Sequence, residues 1–475
     1  MEKWLTRISI FIAIGITFLR VGLDMYCNEY IHGSVADDSY YYSVGKSLFT
    51  NGIASDISVS PTRESLSSHW GIVVVYGFLN FIGFNFIQVS IITLLLGAIF
   101  HLLSFFPLKK MAMGINLKPW IPAFIVTILM FTPTYYSSIL GGRTETFFFP
   151  LTIYYVCIVM DWLKTNKNLW LLLIISIFLF AFRLQAIIVF ASVGVSLILI
   201  KNYRKKIISF TALTIIAIGF VISINYSITE SLSSRGEQAV LNELTENAFD
   251  KLIANFLKTI HFLSEPGNSF LFELSALITV IFISVIIWEI RKKRNFINVF
   301  SISLIVFAFA SFIVGMPISV RFTHLRYIAY VAPFLLLLLN EAFSENKWVN
   351  NKLYVFAILI LLSGSLKNFQ SELRNTSFLK EKNKRSTQRF EELSNLKKEI
   401  TTTLYGYNIV HYELNRVVFS TMEKQIVLID SSQQLNNKKG YLTAETRYLP
   451  MFESHIDSIL YTFKINQEFF IAKLN

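Results

Sequence analysis

The sequence predicts an all-α polytopic membrane protein with a small soluble α/β domain at its carboxyl end, and three observations carry that expectation. Of its 475 residues, 53% are hydrophobic and only 16% charged, whereas soluble proteins carry about 25% charged residues. The missing charge is replaced by runs of Ile, Leu and Phe close to the roughly 20 residues that cross a bilayer. The basic residues fall in the short loops between those runs: Lys109 and Lys110; Lys164 and Lys167; Lys201, Arg204, Lys205 and Lys206; and Arg291 to Arg294. Loops of that kind face the cytoplasm. The net charge of +12 is therefore read as membrane orientation, and no nucleic-acid partner is expected.

Those basic loops fix the path of the chain. The first apolar stretch, about 5–23, follows Lys3 and Arg7 and lacks a small-residue cleavage site, so it is expected as a retained helix. With the amino terminus inside, residues 24–84 form an outer loop. The run "FIQVSIITLLLGAIFHLLSFFPLKK" returns to the cytoplasm, 119–132 goes out to Thr132-Pro133, and "TFFFPLTIYYVCIVMDWLK" comes back. Residues 169–200 are almost wholly apolar, and one straight helix of that length would rise roughly 48 Å. Two short helices with Arg183 and Gln185 near the tip fit better. Spans at 207–226, 269–290, 296–314, 325–340 and 352–366 complete a set of about eleven. Counting "WGIVVVYGFLNFIG" (70–83) as a further span would invert every later basic loop, so it is expected as a helix on the outer surface. A second outer loop, 227–268, carries an apolar stripe from Gln238 to Leu263 that reads as an interfacial helix.

From 367 to 475 the chain turns polar, with a helical start ("STQRFEELSNLKKEI") and strand-like runs "KQIVLID" and "SILYTF". The expected organisation is a membrane unit over 1–366 and a soluble unit over 367–475 outside the membrane. Cys27 and Cys157 fit neither a metal spacing nor an evident disulfide.

Ionisable groups at membrane depth are costly and mark function, and on this topology they collect at the outer side. Asp37 and Asp38 lie in the first outer loop, before a helix ("SYYYSVGKSLF") that Asp38 would cap. Arg143 and Glu145 stand at the outer end of the fourth span, where they could pair with each other. Arg183 and Gln185 mark the hairpin tip, and Arg321, His324 and Arg326 the start of the tenth span. A carboxylate among arginines at a membrane surface suits a lipid-phosphate substrate. In an inverting glycosyl transfer a base takes the proton from the attacking hydroxyl, and cations stabilise the departing phosphate. Arginine's fork binds phosphate oxygens bidentately. No G-x-G-x-x-G and no P-loop occurs, so the donor is expected on a lipid. Tyr41, His69, Gln185 and His324 are expected to line the substrate. A divalent metal, Mg or Mn, on Asp37, Asp38 and Glu145 is an alternative that carboxylate chemistry allows.

These segments resemble the GT-C superfamily of polytopic glycosyltransferases, including protein O-mannosyltransferases and lipid A aminoarabinose transferases. "DDSYYYSVGKSL" is similar to that family's acidic pair after the first helix, and "SSHWGIVVVYGFLNFIGFNFIQ" to its juxtamembrane helix. "GGRTETFFFPLTIYY" resembles its Arg-x-Glu segment, "FAFRLQAIIVF" its arginine-bearing hairpin, and "RFTHLRYIAYVAPFLLLLL" its late Arg-Tyr span. The resemblance implies a polyprenyl-phosphate monosaccharide donor (undecaprenyl phosphate in a bacterial inner membrane), an outer active site and inversion at the sugar. Carried over by position, it makes Asp37 the base with Asp38 beside it, Glu145 a second acid, and Arg143, Arg183 and Arg326 phosphate ligands, with Arg321 nearby. The acceptor is expected to be a surface glycan or a lipid. The sequence departs from the mannosyltransferases at Asp38, where they usually have Glu, and at Arg-Leu-Gln, where Arg-Pro is common. An O-antigen polymerase or ligase, and a transporter or lipid flippase, are the competing expectations.

Overall fold

The computed structural model of the chain describes residues 2–28, 35–55, 70–229, 295–315, 322–345, 400–407, 426–429, 431–464 and 468–475, with isolated positions within 253–256 and 369–399. Among the described residues, five stretches are long and apolar enough to cross a membrane: Glu2–Cys27, Phe86–Gly114, Thr144–Thr165, Lys201–Ile228 and Phe296–Val314. They correspond to α1 (Glu2–Asn28), α4 (Phe86–Leu103) running into α5 (Phe105–Gly114), α8 (Thr144–Thr165), α11 (Ile207–Thr229) and α12 (Phe296–Gly315). The protein is a multi-pass membrane protein. The expected spans at 269–290 and 352–366 and most of the amphipathic stripe lie outside the described residues.

Several local expectations hold, each for a physical reason. The apolar run 169–200 breaks into α9 (Leu169–Phe182) and α10 (Ala186–Leu199), with Arg183 extended between them. Near 325 the chain enters through two tight turns, Phe322–Tyr327 and Ala329–Val331, and then forms α13 (Ala332–Glu345). Pro333 sits in the first turn of α13, where its missing N–H costs nothing. Other expectations change. The stretch 119–132 contains only α6 (Ile121–Leu129), nine residues and about 14 Å long, so the crossing expected there is made by α6 together with the segment that follows it and not by one straight helix. Its continuation turns at Thr132, and Pro133 opens the short α7 (Pro133–Ile139). The helix after the first span, α2 (Val35–Asn51), begins before the acidic pair, so Asp38 lies within its first turn and is not its cap. Negative charge there favours the positive end of the helix dipole.

Burial identifies the centre of the bundle. In α8, 78% of the most apolar stretch is buried, against 22–50% in the other four long helices. The surface helix expected at 70–83 is α3 (Trp70–Phe81), which packs against α2. Their crossing is backbone on backbone: a Cβ at Gly45 would stand 2.6 Å from both Gly77 N and Val73 O. Small residues at the crossing let two helices approach this closely. At the other side of the bundle the buried Arg20 of α1 donates from Nε to Met130 O at 3.1 Å. Its guanidinium lies 4.2 Å from the Tyr136 ring centre and 4.0 Å from that of Phe369.

The tail forms a five-stranded sheet in the order β2-β1-β3-β5-β4, from β1 (Leu404–Tyr407), β2 (Ile426–Ile429), β3 (Tyr441–Glu445), β4 (Ile456–Lys464) and β5 (Glu468–Leu474). β1 is parallel to β2 and β3, and β5 is antiparallel to β3 and β4. The strand-like runs of the sequence are β2 and β4. Leu442, Ala444, Phe470 and Ala472 share one buried face, the two-residue period of a strand.

Candidate active site

The site assembles at the amino end of α8. Gly142 turns the chain in the left-handed region (φ 64°), and Arg143 follows in an extended conformation just before α8 begins. The Arg143 N–H donates to Thr146 Oγ1 (3.1 Å), and that hydroxyl donates to Ser138 O at the end of α7 (3.1 Å). This pairing ties α7 to the first turn of α8 and aims Glu145 into the protein, where it is 3% exposed.

Glu145 does not find its charge partners in its own segment. Its Oε1 forms an ion pair with Arg183 Nη1, from the α9–α10 corner, and lies 3.7 Å from Arg326 Nε in the turn Phe322–Tyr327. Its Oε2 accepts a hydrogen bond from Thr144 Oγ1 at 2.9 Å. Arg183 is itself nearly buried, and its Nε donates to Gln185 Oε1 at 3.0 Å. Both guanidiniums lie against the Tyr327 ring, 5.0 and 5.2 Å from its centre. Three separate parts of the chain thus place two guanidiniums around one carboxylate inside a mostly apolar bundle. A ring quadrupole beside them adds cation–π attraction.

The acidic pair reaches the same place from α2. Asp38 is 1% exposed. A Cβ built on Gly142 would stand 3.7 and 3.9 Å from its two carboxylate oxygens and 3.0 Å from Tyr76 Oη. Tyr76, from α3, donates its hydroxyl to Gly142 O at 2.9 Å, and the buried Tyr41 ring meets it edge-on at 6.0 Å. Asp38 therefore lies over the Gly142 turn, three residues before Glu145.

The structure thus brings together Asp38, Tyr41, Glu145, Arg183, Gln185 and Arg326. Arg143 flanks them, half-buried, with its side chain beside Gly141. Asp37 lies in α2 next to Asp38 and His324 in the turn Phe322–Tyr327, but the side chains of both lie outside the described residues, as do His69 and Arg321 entirely. Among the described residues no three His, Cys, Asp or Glu side chains group as metal ligands. Glu145, one proposed ligand of a Mg or Mn ion, faces guanidiniums, which repel a second cation.

Sequence reasoning passed over Gly142 and Tyr76, and marked Tyr327 only as part of the late Arg-Tyr span. The first two carried a faint signal: a double glycine before Arg143, and a lone phenol in a mostly apolar surface helix.

No known family profile matches the chain, and no curated protein matches its sequence. Among solved structures the chain is similar to ArnT from Cupriavidus metallidurans in the apo state. Identity is 12%, the TM-score 0.57, and the match covers 98% of this chain and 97% of that one. The same protein bound to undecaprenyl phosphate matches with 12% identity and a TM-score of 0.57, over 99% and 98% of the two chains. The archaeal oligosaccharyltransferase AglB from Archaeoglobus fulgidus, in complex with an inhibitory peptide and a dolichol-phosphate, matches at 10% identity and a TM-score of 0.47. That match covers 97% of this chain and 74% of AglB. The likeness to ArnT shows a shared fold over nearly the whole chain.

Proposed function

We propose that this protein is an inverting glycosyltransferase that moves one sugar from a polyprenyl-phosphate donor to a glycan or lipid acceptor at the outer face of a bacterial inner membrane. The observation that carries the reading is the buried Arg183–Glu145–Arg326 cluster beside Asp38, in a fold like that of ArnT, one structure of which holds undecaprenyl phosphate. The basic loops put the amino terminus in the cytoplasm and this end of the bundle, with the C-terminal sheet, on the periplasmic side.

In the transfer, the acceptor oxygen attacks the anomeric carbon from the side opposite the phosphate. The bond between that carbon and the phosphate oxygen breaks, and its electron pair leaves with the polyprenyl phosphate. The acceptor proton passes to a carboxylate of the acidic pair. Asp38 is enclosed against the Gly142 turn, so it serves as the anchor and Asp37 as the proton acceptor. Arg183 and Arg326 stabilise the charge gathering on the phosphate, and they do so without reorganising because Glu145 and Tyr327 already hold them. A polyprenyl phosphate leaves readily as an anion, so no acid has to protonate it.

The test is transfer of labelled sugar from polyprenyl phosphate in purified membranes. Asp37→Asn should abolish transfer while leaving the protein folded in the membrane. Full activity in that variant would remove the assignment, and transport of an intact lipid-linked sugar without transfer would favour the transporter reading.

A further inference from the structure

Arg20 is a cation within α1 that the transfer chemistry does not use. It is 3% exposed, and a charge inside a membrane span is costly unless it serves a purpose. Its contacts fall on both sides of one corner of the chain. Before the corner, Nε donates to Met130 O at 3.1 Å, at the end of α6, where the last carbonyls of a helix lack partners within it. The guanidinium also lies 5.8 Å from the Phe131 ring centre. After the corner, it lies 4.2 Å from the ring centre of Tyr136 in α7. Phe369, in the tail, meets the same guanidinium at 4.0 Å and the Phe131 ring edge-on at 5.4 Å. One side chain of α1 therefore grips both arms of the α6–α7 corner.

α7 needs such a hold. It has seven residues and no side-chain cap at Thr132, and a helix that short persists only through packing. What it packs against is the candidate site. Ser138 O, near its end, accepts the Thr146 hydroxyl that fixes the first turn of α8 and with it Glu145. Its body touches the turn Phe322–Tyr327 that carries Arg326. Toward α4 it has no room to retreat, since a Cβ at Gly97 would stand 2.3 Å from Ile139 O. Any shift of α7 is thus passed to the spacing of Glu145 and Arg326.

We infer that Arg20 is a positioning residue for the headgroup site: it locks the α6–α7 corner, and through α7 it holds Glu145 and Arg326 at the spacing that receives an anionic phosphate. This rests on the polyprenyl-phosphate reading. Arg20 acts through α7 and not by contact with the lipid. Lysine replaces it only in part, because a compact ammonium does not combine the Nε donation with a planar face against the rings.

The experiment titrates the full-length protein in detergent with undecaprenyl phosphate and with undecaprenol. It compares the wild type, Arg20→Met, Arg20→Lys, Arg326→Lys and the double variant Arg20→Met/Arg326→Lys. Arg20→Met should weaken undecaprenyl phosphate binding about threefold to tenfold, with the number of binding sites per protein and the affinity for undecaprenol unchanged. Arg20→Lys should lose less, and it carries the test if Arg20→Met does not fold. In the Arg326→Lys background the further loss from Arg20→Met should shrink to about twofold or less, because coupled positions are not additive. Fewer sites of unchanged affinity would make Arg20 merely structural and overturn the inference. So would an equal loss toward undecaprenol, or the full loss persisting in the Arg326→Lys background. If the wild type binds no undecaprenyl phosphate, the functional reading itself falls; if it binds and both Arg20 variants bind equally well, this inference falls alone.

Discussion

Replacing Glu145 by Gln keeps the shape of the side chain and its contact with Thr144 but removes the only negative charge described between two guanidiniums. At the 3.7 Å separation from Arg326, and an effective dielectric constant of about 20, the lost attraction is about 4.5 kcal/mol before desolvation. Removing one partner of a buried ion pair costs about 3–5 kcal/mol in practice, because the remaining charge stays buried and uncompensated. Arg183 is nearly enclosed and Arg326 partly so, so Glu145→Gln should lose about 3 kcal/mol. The double variant Glu145→Gln/Arg183→Gln should recover part of that loss, giving a coupling of at least about 1.5 kcal/mol. The assay is denaturant unfolding of the detergent-purified wild type, both single variants and the double variant. Because the group is buried, the coupling should change little between low and high salt. Additive effects, or a Glu145→Gln variant as stable as the wild type, would refute the claim that this carboxylate holds the two arginines in place.

Two backbone positions give further checks. Gly142→Ala places a methyl group 3.0 Å from Tyr76 Oη, beside the Asp38 carboxylate, at a φ of 64° that an L-residue adopts only with strain of about 1–2 kcal/mol. Transfer should fall at least tenfold in a protein that still unfolds cooperatively, as measured by steady-state kinetics and thermal unfolding; wild-type kinetics would show that Asp38 needs no such fit. Gly45→Val drives a side chain into the backbone of α3, 2.6 Å from Gly77 N and Val73 O, so α2 must move and carry Asp38 with it. Donor binding should survive better than turnover, read as KM against kcat, and an unchanged kcat would count against α2 as the carrier of the base.

Much of the site was legible because charge is scarce in this chain. Against 53% hydrophobic composition, Arg183 interrupts an apolar run, while Glu145 and Arg326 stand where such runs begin and Asp38 follows the first span, and desolvation makes a charge at such places expensive unless it is used. Gln185 was legible for the same reason, at the tip of a run too long to be one helix. Gly142 and Tyr76 were not, since glycine turns and single tyrosines are common and their meaning here depends on what approaches them. The sequence suggested that Arg143 and Glu145 could pair because they are neighbours. The structure pairs Glu145 with Arg183 and Arg326, 38 and 181 residues further along, a choice made by packing and invisible to spacing.

The sequence by itself determined the class of the protein, most of its long helices, the break at Arg183 and two of the five strands. These depend on local composition and period, which apolar runs and alternating residues write directly into the chain. Only the tertiary structure decided that 119–132 is a short helix and a corner, that Asp38 sits inside α2 and over Gly142, and that one carboxylate is shared by two distant arginines. Those outcomes depend on which surfaces meet once the helices pack. Contact between residues far apart in sequence is set by the shape and volume of everything between them, and no local pattern encodes it.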